Sequence, residues 1–116
     1  MEHMPRQVRP EDPMWSRDLD AAITAYGTAV RMQIIRHLRT RGPSMRYQIQ
    51  EATNINDSVL TKSLGKLELT GVVTANLPAG ERSTRALTYA LDAHRADTLL
   101  ALIAAYVKAQ DLTATN

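Results

Sequence analysis

Four apolar stretches at helical spacing, a switch to alternating spacing after Gly71, and a long apolar segment near the end predict a mainly α domain. The alternating part adds a small β-hairpin, so the class is α+β, with about five helices and a two-stranded hairpin. At 116 residues the chain is long enough for one compact domain and too short for two ordinary ones. The expected division is a flexible arm over residues 1–15, a folded domain over 16–110 and a flexible tail over 111–116.

The arm carries Pro5, Pro10 and Pro13 among scattered charges with no apolar period. Ser16 is placed to cap a first helix with Leu19, Ile23 and Tyr26 at helical spacing, ending at Gly27. Thr28 caps a second helix, to about Arg41, with Val30, Ile34 and Leu38 on one stripe and Met32 and Ile35 beside it. Gly42-Pro43 stops it. Ser44 is then a cap for a short third helix with Met45, Ile49 and Ala52 inward. Asn54-Ile55-Asn56 is a tight polar break around one apolar residue, and Asn54 suits a left-handed conformation. Asn56 or Asp57 caps a fourth helix, with Leu60, Leu64 and Leu67 on one face and Gly71 at its end.

Val73, Ala75 and Leu77 then alternate with polar residues, as do Leu87, Tyr89 and Leu91. The segment between them, from Pro78 to Ser83, holds Pro and Gly, so a hairpin with a basic tip is expected. Asp92 caps a last helix over about residues 92–110, whose Leu99, Leu100, Leu102, Ile103, Tyr106 and Val107 cover more than half its circumference. So wide an apolar face is expected to pair with a second copy of the chain. The proposed dimer contacts are Trp15, Leu19 and Ile23 from the start of the domain, with Leu99, Leu102, Ile103 and Tyr106 from the last helix.

Composition narrows the function classes. With 44% hydrophobic and 22% charged residues the chain has the balance of a soluble protein. Its longest apolar run, Leu99 to Val107, is too short for a membrane span, and no secretory signal is legible. Cysteine is absent, which excludes disulfides and thiolate metal sites and makes the cytoplasm the expected compartment. The net charge is only +2, yet Arg31 to Arg85 holds nine basic against four acidic residues. A basic centre between acidic flanks points to a polyanionic partner.

Two short helices around a tight break, followed by a hairpin, form the order of a helix-turn-helix with a wing, which places its second helix in the DNA major groove. Opposite its leucine face the fourth helix offers Asp57, Ser58, Thr61, Lys62, Gly65 and Lys66. Hydroxyls can contact base edges or phosphates, and lysines supply salt-dependent attraction. The expected DNA contacts are Ser44, Arg46 and Tyr47 of the third helix, Asn56, Asp57, Ser58, Thr61, Lys62 and Lys66 around the fourth, and Arg82, Ser83 and Arg85 of the wing.

These motifs carry a family resemblance. The segment from Thr28 to Leu38, TAVRMQIIRHL, is similar to the second helix of ArsR-type repressors, with an arginine in its first turn and an Ile-Ile pair before a leucine. INDSVLTKSLGKLELTGVV, residues 55–73, resembles the recognition helix and first wing strand of ArsR-, MarR- and HxlR-type regulators. Its part from Leu60 to Val73 is most like the HxlR type, and RALTYAL, residues 85–91, looks like the returning wing strand. The resemblance spans roughly residues 20–107 and implies a winged helix-turn-helix regulator, a homodimeric repressor reading an inverted repeat in double-stranded DNA. The chain departs from it in lacking the cysteine near the start that HxlR-type regulators carry, and in Gly65, which costs roughly 1 kcal/mol against alanine in mid-helix.

The alternatives are a winged helix that binds protein, or an accessory factor of a mobile element that regulates no promoter. Asp92 and His94 resemble half of a zinc site, but Ala104, Ala105 and Lys108 stand where further ligands would be needed, so no metal and no cofactor is expected. No nucleophile motif, glycine-rich phosphate loop or acid–base cluster marks an enzyme.

Overall fold

The computed structural model describes residues 12–82 and 87–110. In chain order its elements are α1 (Arg17–Tyr26), α2 (Ala29–Arg41), β1 (Ser44–Met45), α3 (Arg46–Thr53), α4 (Asp57–Thr70), β2 (Val73–Ala75), a 3-10 turn (Ala79–Glu81), β3 (Thr88–Leu91) and α5 (Ala93–Val107).

Four side chains start four of the helices by accepting from backbone N–H groups that have no partner in the first turn. Ser16 Oγ accepts from Leu19 N at 3.0 Å, Thr28 Oγ1 from Arg31 N at 3.2 Å, and Asp92 Oδ1 from Arg95 N at 3.0 Å. At α4 the cap is Asn56, whose Oδ1 accepts from Ser58 N at 2.9 Å and Val59 N at 3.3 Å. Two helices end on a left-handed residue: Asn54 after α3 at φ 56°, and Gly71 after α4 at φ 82°. Asn54 tolerates that conformation through its short polar side chain, and Gly71 does so without a Cβ.

The sheet has three strands in the order β1-β3-β2, all antiparallel. Val73 faces Leu91 and Ala75 faces Tyr89 across the hairpin, while Ser44 faces Tyr89 on the other edge. The strand β1 corrects the sequence reading in one respect. Ser44 does not cap α3; it lies in β1, buried, with its Oγ donating to Gly42 O at 2.9 Å. The cap position of α3 is Met45, whose N–H is held by Gln48 Oε1 at 2.7 Å.

One core joins all five helices and the sheet. Leu19, Ile34, Ile49, Leu60, Leu64, Leu67, Leu99, Val72 and Val73 are its largest fully buried side chains. On α1 the buried face is Leu19, Ala22 and Ala25, so Ile23 points outward at 44% exposure. Ala52, expected inward on α3, is also exposed, and Met32 is exposed on α2. The small alanine faces let α1 pack closely on α4 and α5. Polar ties fasten the layers: Tyr26 Oη donates to Ala96 O at 2.8 Å, Arg39 pairs with Asp97 at 2.6 Å, and Arg95 Nε donates to Thr70 O at 2.9 Å.

Candidate nucleic-acid interface

The caps and left-handed ends just described set α3 and α4 as two helices separated by Asn54, Ile55 and Asn56, with Ile55 buried beneath the turn. Because Leu60, Ser63, Leu64, Leu67 and Thr70 occupy one face of α4, helical geometry turns Ser58, Thr61, Lys62, Gly65 and Lys66 to solvent. Lys62 and Lys66 have no ion-pair partner among the described residues, so their charge is free to act on an outside anion. Tyr47 of α3 adds an aromatic surface at 57% exposure. A Cβ at Gly65 would meet nothing within 4 Å, so the helix lies open there, and without a side chain its backbone can be approached by a partner's surface.

Three expected contacts are engaged inside the chain. Ser44 is buried, and because its single hydroxyl hydrogen goes to Gly42 O, the 3.0 Å contact with His37 Nε2 makes that nitrogen the donor. Ser44 is therefore a strand residue closed off from DNA. Arg82 forms a two-pronged ion pair with Glu68 of α4, Nη2–Oε1 at 2.7 Å and Nη1–Oε2 at 3.0 Å, and its Nε donates to Leu77 O at 3.0 Å. This guanidinium ties the base of the wing to α4, with three of its five N–H donors engaged inside the chain. Asn56 is the cap of α4, with its Oδ1 occupied as described.

Arg46 lies between these extremes. Its Nη2 donates to Asp57 O at 2.8 Å and Thr61 Oγ1 at 2.7 Å, and sits 2.7 Å from Asp57 Oδ1. The Thr61 hydroxyl in turn donates to Asp57 O at 3.1 Å. Arg46, Asp57 and Thr61, chosen separately from the sequence, are thus one connected cluster bridging the first turns of α3 and α4. Ser83 and Arg85 lie outside the described residues.

Tyr89 of β3 is buried at 6% exposure, between Ser44 of β1 and Ala75 of β2 in the sheet. Burial, followed by the nearby Glu68 carboxylate, raises its phenol pKa, and the Arg82 and Arg46 charges oppose the rise. Sequence patterning identified Tyr89 as an inward strand residue but gave no sign that the charges of Glu68, Arg82 and Arg46 act on its phenol. Glu68 was equally hidden, because a partner for Arg82 fourteen positions away is a tertiary fact.

The α1–α5 side is the other candidate surface. Leu19 and Leu99, expected at a dimer contact, are buried in the chain's own core at 1% and 0% exposure, because α1 and α5 pack on each other. Leu102, Ile103, Tyr106 and Trp15 are partly covered, with Trp15 set edge-on to Tyr106 at a ring separation of 5.2 Å. The Tyr106 hydroxyl donates to Asp12, and Trp15 Nε1 donates to Asp20 at 2.6 Å. Left open are Ile23 at 44%, Leu100 at 48% and Val107 at 75% exposure.

No cluster of three potential metal ligands occurs among the described residues, and none of their helices is long and apolar enough to cross a membrane.

Comparison with solved structures decides the architecture. The chain is similar to the transcriptional repressor BigR from Xylella fastidiosa, with a TM-score of 0.57 at 20% identity over 78% of this chain and 87% of that one. It is also similar to an ArsR family transcriptional regulator, with a TM-score of 0.61 at 17% identity over 80% of this chain and 96% of that one. The fold is a winged helix-turn-helix. In it α3 and α4 form the helix-turn-helix, β2 and β3 carry the wing, and β1 adds the third strand that the sequence reading lacked. No protein-family model matches the chain, and no curated protein matches it. At these identities the likeness establishes the winged helix and does not by itself assign its ligand.

Proposed function

We propose that this winged helix binds double-stranded DNA in a sequence-specific manner as a homodimer, regulates transcription, and acts as a cytoplasmic repressor. The observation that carries the reading is the outer face of α4, where Lys62 and Lys66, both unpaired among the described residues, flank Gly65 in line with Ser58. A helix of this kind fits the major groove, with lysines drawn to phosphates and Ser58 and Thr61 nearest the bases. Both similar structures are described as transcriptional regulators, which supports the same assignment here.

The dimer would use the open Leu100 and Val107 of α5 with Ile23 of α1, and the partly covered Ile103, Trp15 and Tyr106 beside them. A two-fold axis through that surface would set two α4 helices to read the halves of an inverted repeat. Leu69, 88% exposed on α4, favours the second reading, a surface for a protein partner.

Fluorescence anisotropy against a labelled duplex, titrated with salt, separates the two. DNA binding through phosphates predicts that log affinity falls linearly with log salt, by about 0.9 for each phosphate neutralised. Lys62→Ala and Lys66→Ala should each flatten that slope by about one contact. Affinity that ignores salt, or no binding near physiological salt, would favour the protein-binding reading.

A further inference from the structure

Arg46 carries five N–H donors, but every contact it makes among the described residues converges on one nitrogen. Nη2 has two hydrogens for three oxygens: the Asp57 carbonyl, the Asp57 carboxylate and the Thr61 hydroxyl. The donors on Nη1 and Nε have no partner among the described residues. The pair is also accessible, since the Arg46 side chain is 32% exposed and that of Asp57 is 73% exposed. An exposed ion pair of this type is held weakly, and a well-placed phosphate can displace the carboxylate.

Both residues open a helix that meets the proposed DNA face: Arg46 begins α3 and Asp57 begins α4. The Asp57 carboxylate is not needed to start α4, because Asn56 supplies the cap. It is the one acidic side chain in the first turn of that helix, where a DNA-binding surface gains nothing from negative charge.

We infer that Asp57 is a specificity-determining residue that restrains the Arg46 guanidinium, so that the arginine reaches DNA only where a correctly placed phosphate or base edge out-competes the carboxylate. On unrelated DNA the pair stays closed, and Arg46 contributes little. On a matched site it opens, and one more cation contacts the duplex. The restraint lowers affinity for random sequence and so widens the difference between right and wrong sites. This rests on the DNA-binding reading above.

The test is a salt titration of binding to a random-sequence duplex of roughly 24 base pairs, using the wild type, D57N, R46Q and the double variant. Melting curves for each establish that the fold is kept. D57N is expected to bind random DNA about tenfold more tightly and to steepen the log–log salt slope by about 0.9, the value of one added phosphate contact. In the R46Q background the same change should gain about threefold or less, because only general repulsion is then relieved. An equal gain with and without Arg46 overturns the restraint, as does a D57N affinity no higher than wild type. Binding by neither wild type nor D57N overturns the DNA-binding reading and the restraint together, whereas failure of D57N alone leaves the former standing.

Discussion

Asn56 gives the sharpest separation between a residue that builds the proposed reading helix and one that would touch DNA. Its Oδ1 accepts two hydrogen bonds at the start of α4, at 2.9 and 3.3 Å. The first is of ordinary length and the second is weak, so the cap contributes about 1 kcal/mol. For a cooperative domain of this size that corresponds to a fall in Tm of about 4–8 °C in Asn56→Ala. Asn56→Asp keeps an acceptor in place and adds a charge that favours the helix N-terminus by about 0.3–1 kcal/mol, partly offset by repulsion from Asp57. Its stability should therefore stay within about 0.5 kcal/mol of wild type. The new carboxylate nevertheless stands at the start of the helix proposed to meet DNA and should weaken binding to duplex DNA several-fold. Thermal melts followed by far-ultraviolet circular dichroism, with anisotropy on the same samples, read both quantities. Equal destabilisation by Ala and Asp would refute the cap. Full DNA affinity in a stable Asn56→Asp would refute the approach of this helix end to DNA.

Burial and then the Arg41 charge lower the pKa of His37 in the fold, so acid charges the unfolded chain first. Stability is thus fully present above the ordinary histidine value and is lost as pH falls through the window between that value and the lowered one. Urea midpoints should drop from about pH 7.5 to about pH 5.5, and His37→Gln should shrink that drop. Leu67→Ala removes a side chain with 0% exposure from the inner face of α4 and should cost about 3 kcal/mol by denaturant titration. Val107→Asp, at a position 75% exposed, should leave the melting temperature nearly unchanged and convert a dimer to a monomer in sedimentation. A dimer that survives Val107→Asp and Leu100→Asp together would place the contact elsewhere.

Helix starts and stops were legible because they depend on local chemistry. Ser16, Thr28 and Asp92 cap as their side chains dictate, and Asn54 and Gly71 take the left-handed turns that few residues accept. The leucines of α4 were legible for the same reason, as a stripe at one period. Strand β1 was not, because two residues hold no period and its pairing with β3 is set by residues more than forty positions away. The buried face of α1 was not legible, because alanine is small enough to sit on either side of a helix. Close packing against α4 and α5 selected Ala22 and Ala25 over Ile23.

The site was half legible. Lys62 and Lys66 stand where the sequence placed them, since a charged side chain opposite a leucine stripe has no alternative to solvent. Arginines are harder, because a planar fork of donors finds whichever carboxylate folding brings near. Arg82 found Glu68, and Arg46 found Asp57, and neither pairing leaves a mark in the spacing. A basic residue near the wing is thus as ready to hold the wing in place as to reach for DNA.

The most direct test of the central claim is selection from a pool of randomised duplex DNA by the purified protein near physiological salt, with sequencing of the retained molecules. The DNA-reading account predicts enrichment of an inverted repeat whose halves lie about one helical turn apart. A retained pool that stays random, at levels no higher than competitor DNA, would contradict it.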